Sequence, residues 1–295
     1  MTSTPFGRMI TAMVTPMKPD GAIDYDGVAA LAAYLVDHGH DGLVVNGTTG
    51  ESATTTDEEN VQTVKAVVDA VGDRARITAG VGTNDTAHSV HAAKAMAAAG
   101  AHNVLIVTPY YNKPTQAGIV EHFRAVCGAT GLPAMAYDIP GRTATALASD
   151  TIRRLAEIDE VQAVKDAKGD LFAATQLMAE TGLLWFSGDD VNNLPWLAVG
   201  AVGLVSVVGH VAGDDYAQLI AAVDQGDLRT AREIHTRLIP AVDAVMNTSQ
   251  GAIMAKAALA ELGVIDSDAV RLPLLPATPE HRDILRAGLT AAGVK

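Results

Sequence analysis

Eight short runs of apolar and β-branched residues recur along the first 206 positions, each followed by a polar or Gly-rich loop and an Ala-rich amphipathic stretch. They are MITAMVT (9–15), GLVVN (42–46), ITAGV (77–81), NVLIV (103–107), PAMAY (133–137), VQAVK (161–165), LLWFS (183–187) and VGLVS (202–206). Their last residues lie roughly 19 to 35 positions apart, the length of one unit of strand, loop, helix and loop. Strands that alternate with helices pair in parallel, because the intervening helix carries the chain back along the sheet. Eight such units predict an α/β fold, a closed (β/α)8 TIM barrel, whose usual size is about 250 residues. A doubly wound open sheet is the alternative.

The intervening segments carry the signals of helices. In TTTDEENVQTVKAVVDAVGD, Thr56 and Glu59 match a capping box, and Val61, Val64, Val67, Val68 and Val71 recur at helical spacing. Gly72 supplies a stop there, as Gly100 does after DTAHSVHAAKAMAAAG. Beyond the eighth run the strand pattern ends, and residues 210–295 read as helices only. One of them, RTAREIHTRLIPAVDAVM, is expected to break or kink near Pro240, and another to start with Pro279 behind Thr278. The expected organisation is a catalytic barrel over residues 1–226 and a C-terminal all-helical appendage over residues 227–295.

Charge narrows the partners. Lys and Arg number 21 against 34 Asp and Glu, a net charge of −13 that repels nucleic acid and anionic membranes alike. Residues 191–213 carry no Asp, Glu, Lys or Arg, but Pro195 with Gly200, Gly203 and Gly209 makes them a short helix and a buried strand rather than a membrane span. The one cysteine, Cys127, has no partner for an internal disulfide, and MTSTPFGRMI is not a signal peptide. A cytoplasmic location is expected.

Barrels of this kind carry their chemistry at the C-terminal ends of the strands and in the loops that follow. Lys165 closes the apolar run VQAV there, where desolvation lowers an amine's pKa and frees it to attack a carbonyl. The competing reading is a lysine that reaches solvent or pairs with Asp166. Tyr137 ends the fifth run, Thr48 follows the second and Tyr111 the fourth; hydroxyls in such a chain can move protons during imine formation. Each tyrosine taken singly reads equally as a core aromatic. The loop GTTGES (47–52) suits a small carboxylate better than a nucleotide, since it lacks the Lys of a phosphate-binding loop. Arg142, after a Pro-Gly turn, offers a fork for a second carboxylate, or is a plain surface charge. The nine histidines form no HExxH pattern and no serine sits in a GxSxG elbow, so neither a metal site nor a hydrolase is expected.

Five motifs in order, GTTGES (47–52), TPYYNKP (108–114), YDIPGRT (137–143), VKDAKGD (164–170) and SGDD (187–190), make the whole chain resemble the dihydrodipicolinate synthase family. That family lies within the pyruvate-dependent class I aldolases and lyases. The resemblance implies a lyase without a cofactor: Lys165 forms an imine with pyruvate, and the derived enamine attacks L-aspartate 4-semialdehyde, on the route to diaminopimelate and lysine. It further implies a relay of Tyr137, Thr48 and Tyr111, with Tyr111 entering from a neighbouring subunit of a tight dimer that assembles into a tetramer. Thr49 resembles the residue that holds pyruvate's carboxylate and Arg142 the one that receives the semialdehyde's. Gly188 and Val205 resemble backbone contributors at the mouth. N-acetylneuraminate and sugar-acid enzymes of the same superfamily are the near alternative, disfavoured by Thr48-Thr49 and Arg142; a barrel that binds a keto acid without turnover is the distant one. Asn84, His88 and Tyr110 resemble the remnant of an allosteric site for lysine. Family members inhibited by lysine carry a histidine and a glutamate where this chain has Asn60 and His88, so feedback is expected to be weak or absent.

Overall fold

In the computed structural model, which describes residues 4–294, each of the eight runs becomes a strand. They are β1 (Met9–Ala12), β2 (Gly42–Val45), β3 (Arg76–Gly80), β4 (Asn103–Val107), β5 (Ala134–Asp138), β6 (Val161–Asp166), β7 (Leu184–Ser187) and β8 (Gly203–Ser206). All pair in parallel in chain order, and β8 returns to β1 through Ile10 opposite Val205, which closes the barrel and excludes the open sheet. The strands are shorter than some runs: β1 stops at Ala12, three residues before the end of MITAMVT.

Eight helices connect or follow strands as far as β8: α1 (Tyr25–Asp37), α2 (Asp57–Val71), α3 (Thr86–Ala98), α4 (Gln116–Cys127), α5 (Pro140–Thr143), α6 (Ser149–Leu155), α7 (Leu171–Thr181) and α8 (Asn193–Ala198). The helices α9 (Gly209–Asp224), α10 (Leu228–Met246), α11 (Gly251–Glu261) and α12 (Pro279–Ala291) come after it. Side chains alternate across each strand, so one series faces inward. Phe6, Ile10, Ala12, Val44, Leu105, Met135, Tyr137, Ala163, Phe186 and Val205 fill the barrel interior. The opposite series packs on α1 to α4, α6 and α7, and α9 to α12 share a separate apolar cluster with Met9 and Leu204.

Of the break or kink expected near Pro240, the break does not occur: α10 runs continuously through it. Proline removes one intrahelical hydrogen bond, but Ala231, Ile234 and Leu238 before it and Ala241, Ala244 and Val245 after it are all buried. Packing on both sides holds the two halves as one helix. Pro279 does open α12 behind the Thr278 cap. Among the described residues no helix is long and apolar enough to cross a membrane.

Candidate active site

Lys165 and Tyr137 are register partners on β6 and β5, both on the inward series near the strands' C-terminal ends. Lys165 is 5% exposed, and its Nζ lies 4.0 Å from the centroid of the Tyr137 ring. Burial lowers the Lys165 pKa to about 7; the Asp190 carboxylate opposes this and the Arg142 guanidinium reinforces it. The ring face also favours the ammonium, yet desolvation prevails, and a large fraction of the amine is uncharged at neutral pH. Burial pushes the Tyr137 hydroxyl up to about 12, so it stays a proton donor.

Asp166, the alternative partner for Lys165, is engaged elsewhere. Its Oδ1 accepts from the backbone N–H groups of Lys168 and Gly169 at 2.8 and 2.9 Å, and its Oδ2 from Trp185 Nε1 at 3.3 Å. Asp190 is the buried anion whose field reaches Lys165. It accepts from Asn193 Nδ2, the Ser206 hydroxyl and the backbone N–H groups of Val207 and Val208, which ties the loop after β7 to the end of β8. Gly188 confines the lysine stem: a Cβ there would lie 2.9 Å from Lys165 Cγ and 3.0 Å from the Asp166 carbonyl.

The loop after β2 brings Thr48, exposed, and Thr49, buried, to the same mouth. It is bracketed by two residues in the left-handed region, Asn46 at φ 58° and Glu51 at φ 59°, a conformation that non-glycine residues adopt at a cost. Arg142 comes from the short helix α5, where Pro140 sets the first turn. Thr48, Thr49, Tyr137, Arg142 and Lys165 line one cavity of about 340 Å³, and an adjoining space of about 290 Å³ is bounded also by Gly188, Asp189 and Gln250. An amine partly uncharged at neutral pH, a phenol, two threonine hydroxyls and a guanidinium thus converge on one cavity.

Other expected residues lie apart. Tyr111 is 87% exposed at φ 71° and lies outside that lining. Val205 packs in the barrel interior. Asn84 also lies outside the lining, its carbonyl accepting from Asn112, whereas His88 and Tyr110 line the cavity's outer end with Asn60 and Asp57. His88 Nε2 is 2.9 Å from Asp57 Oδ1, so an acid does stand at this end, one that the motif comparison did not count. Sequence reasoning also passed over Lys256 and Glu51, which pair in the interior. The available signal was a lone lysine in GAIMAKAALAEL, a helix with no other charge before its last turn.

Residues 5–292 match the model of the Dihydrodipicolinate synthetase family. The chain is 57% identical over 290 residues to the 4-hydroxy-tetrahydrodipicolinate synthase of Kineococcus radiotolerans, covering 98% of this chain and 94% of that protein. The crystal structure of dihydrodipicolinate synthase from Cyanidioschyzon merolae with lysine bound superposes with TM-score 0.96 at 40% identity, covering 99% of this chain and 100% of that one. That of the Bacillus anthracis dihydrodipicolinate synthase gives TM-score 0.93 at 40% identity, covering 98% and 99%.

Proposed function

Because this chain belongs to the Dihydrodipicolinate synthetase family, we propose that it is a 4-hydroxy-tetrahydrodipicolinate synthase in which Lys165 carries pyruvate as an imine. The observation that carries this reading is the buried Lys165 amine, at a pKa of about 7, over the Tyr137 ring in a cavity that also holds Thr49 and Arg142.

The amine of Lys165 adds to the keto carbon of pyruvate, and loss of water leaves the imine. Removal of a methyl proton turns the imine into an enamine, whose carbon attacks the aldehyde of L-aspartate 4-semialdehyde. The substrate's own amine then adds to the imine carbon and displaces Lys165, closing the ring. Tyr137 and Thr48 move protons on and off nitrogen and oxygen in these steps, and Tyr111 completes the relay from a partner subunit. Thr49 holds pyruvate's carboxylate, and Arg142 takes that of the semialdehyde by a forked contact. Gly188 and the backbone at Val205 shape the mouth. The dimer this requires assembles into a tetramer, and the enzyme works in the cytoplasm. Lysine inhibits weakly, because Asp57 already faces His88 and an ammonium would have to displace the imidazole.

Borohydride reduction in the presence of pyruvate, followed by peptide mapping, tests the mechanism. A stable adduct at Lys165 is expected, with trapping that accelerates as pH rises through about 7, and none in Lys165→Arg. An adduct elsewhere, or turnover retained in Lys165→Arg, overturns it. Turnover with N-acetylneuraminate or a sugar acid but not with aspartate semialdehyde would move the chain to the sister activities.

A further inference from the structure

The loop that presents Thr48 and Thr49 is anchored from below by residues more than two hundred positions away. Glu51, at φ 59°, turns a side chain that is 1% exposed into the interior, where one oxygen meets Nζ of the fully buried Lys256 on α11. Lys256 Nζ also donates to the Ala269 carbonyl at 2.7 Å, and the other Glu51 oxygen accepts from the Arg271 N–H at 2.9 Å. The Arg271 side chain then reaches the carbonyls of Gly21 and Thr54, each at 2.9 Å, and forks onto Glu59 at the start of α2. On the barrel side, Thr15 Oγ1 donates to the Gly50 carbonyl at 2.8 Å. The loop's strained end is closed on itself by the Glu51 N–H donating to the Thr48 carbonyl at 3.1 Å and the Thr54 N–H donating to the Glu51 carbonyl at 2.9 Å, but both partners of the Glu51 side chain come from the segment 256–271.

We propose that Glu51 and Lys256 are positioning residues for the reaction: their ion pair holds the loop in the conformation that aims Thr48 and Thr49 at the Lys165 adduct. The C-terminal helices are therefore a working part of the active site rather than a cover. The inference rests on the roles assigned above to Thr48 and Thr49. Its physical basis is that a buried charge left without its partner forces its surroundings to rearrange, whereas a neutral pair of similar volume is tolerated. Misplacement by about 1 Å is worth about 100-fold in rate.

The test compares wild type with Lys256→Met, Glu51→Gln, the double variant and Thr49→Val, measuring kcat, pyruvate KM, thermal midpoint and borohydride occupancy of Lys165 at saturating pyruvate. Each single charge variant is expected to lose about 100-fold in kcat/KM, with higher pyruvate KM and lower kcat, while Lys165 still traps fully. The double variant should recover most of the loss, as coupled neighbours do. Single variants with a lowered thermal midpoint but wild-type kcat and KM would reduce the pair to a structural role and overturn the proposal; so would a double variant no better than the singles. If Lys256→Met does not fold, Glu51→Gln and Arg271→Gln decide by the same readouts. Thr49→Val is the control on the underlying reading: an unchanged pyruvate KM there refutes the role of Thr49 itself, however the ion pair behaves.

Discussion

Lys165 and Asp138 sit on adjacent strands and shift in opposite directions for one reason, since burial penalises whichever form is charged. The amine falls to about 7 and the Asp138 carboxyl rises to about 7. Asp138 is 1% exposed; its Oδ1 accepts from Leu147 N–H at 3.2 Å, and its Oδ2 has no partner. A carboxyl whose folded pKa is raised contributes stability that is fully present below the unfolded value near 3.9 and is lost as pH rises through the folded one, here about 7. Asp138→Asn, neutral at every pH, should flatten that slope: urea unfolding between pH 5 and 8 should show wild type losing stability faster than the variant. Gly188 carries a steric prediction. Adding one methyl in Gly188→Ala must displace the Lys165 stem or the Asp166 backbone, so kcat should fall about 100-fold with secondary structure by circular dichroism unchanged. Lys165 and Tyr137 were visible in sequence because each ends an apolar run. The confinement by Gly188 was not, because it depends on the spacing between β6 and β7.

Among elements, helix α2 shows how far local pattern reaches. The Thr56 hydroxyl accepts from the Glu59 N–H at 3.2 Å and the Glu59 carboxylate accepts from the Thr56 N–H at 2.9 Å, the reciprocal box expected from two residues three apart. Thr56→Ala should cost about 1 kcal/mol, read as a lower urea midpoint at unchanged m-value. The same Glu59 is claimed by Arg271, whose forked hydrogen bonds lead the causes that hold its pKa down to about 2. Nothing near Glu59 in sequence announces that partner. The unbroken α10 makes the complementary point: propensity at Pro240 argued for a break or a kink, and apolar burial on both sides of it outweighed a missing hydrogen bond and kept one helix.

Over the whole molecule, the proposed dimer makes a strong prediction, because Tyr111 projects from the surface of its own chain. Tyr111→Phe and Lys165→Arg should each be nearly inactive alone. Mixed and reassociated, they should regain up to about a quarter of wild-type activity if half of the dimers are hybrid and each hybrid holds one intact site, by the logic of symmetric interfaces. Mixtures that stay inactive, with hybrids verified by native mass spectrometry, would refute a shared site. By itself the sequence determined the number and order of the strands, the helix starts at Thr56 and Thr278, and the rim position of Lys165 and Tyr137. Each of these is written in period, cap chemistry or the end of a run, which act over a few neighbouring residues. Only the tertiary structure decided that Glu51 meets Lys256, that Asp57 faces His88, that Asp166 is taken up by Trp185 and that α10 survives its proline. Such pairings join residues far apart in the chain, and a buried charge or hydrogen-bond donor acquires its partner only when closure of the barrel and docking of the last helices exclude water around both.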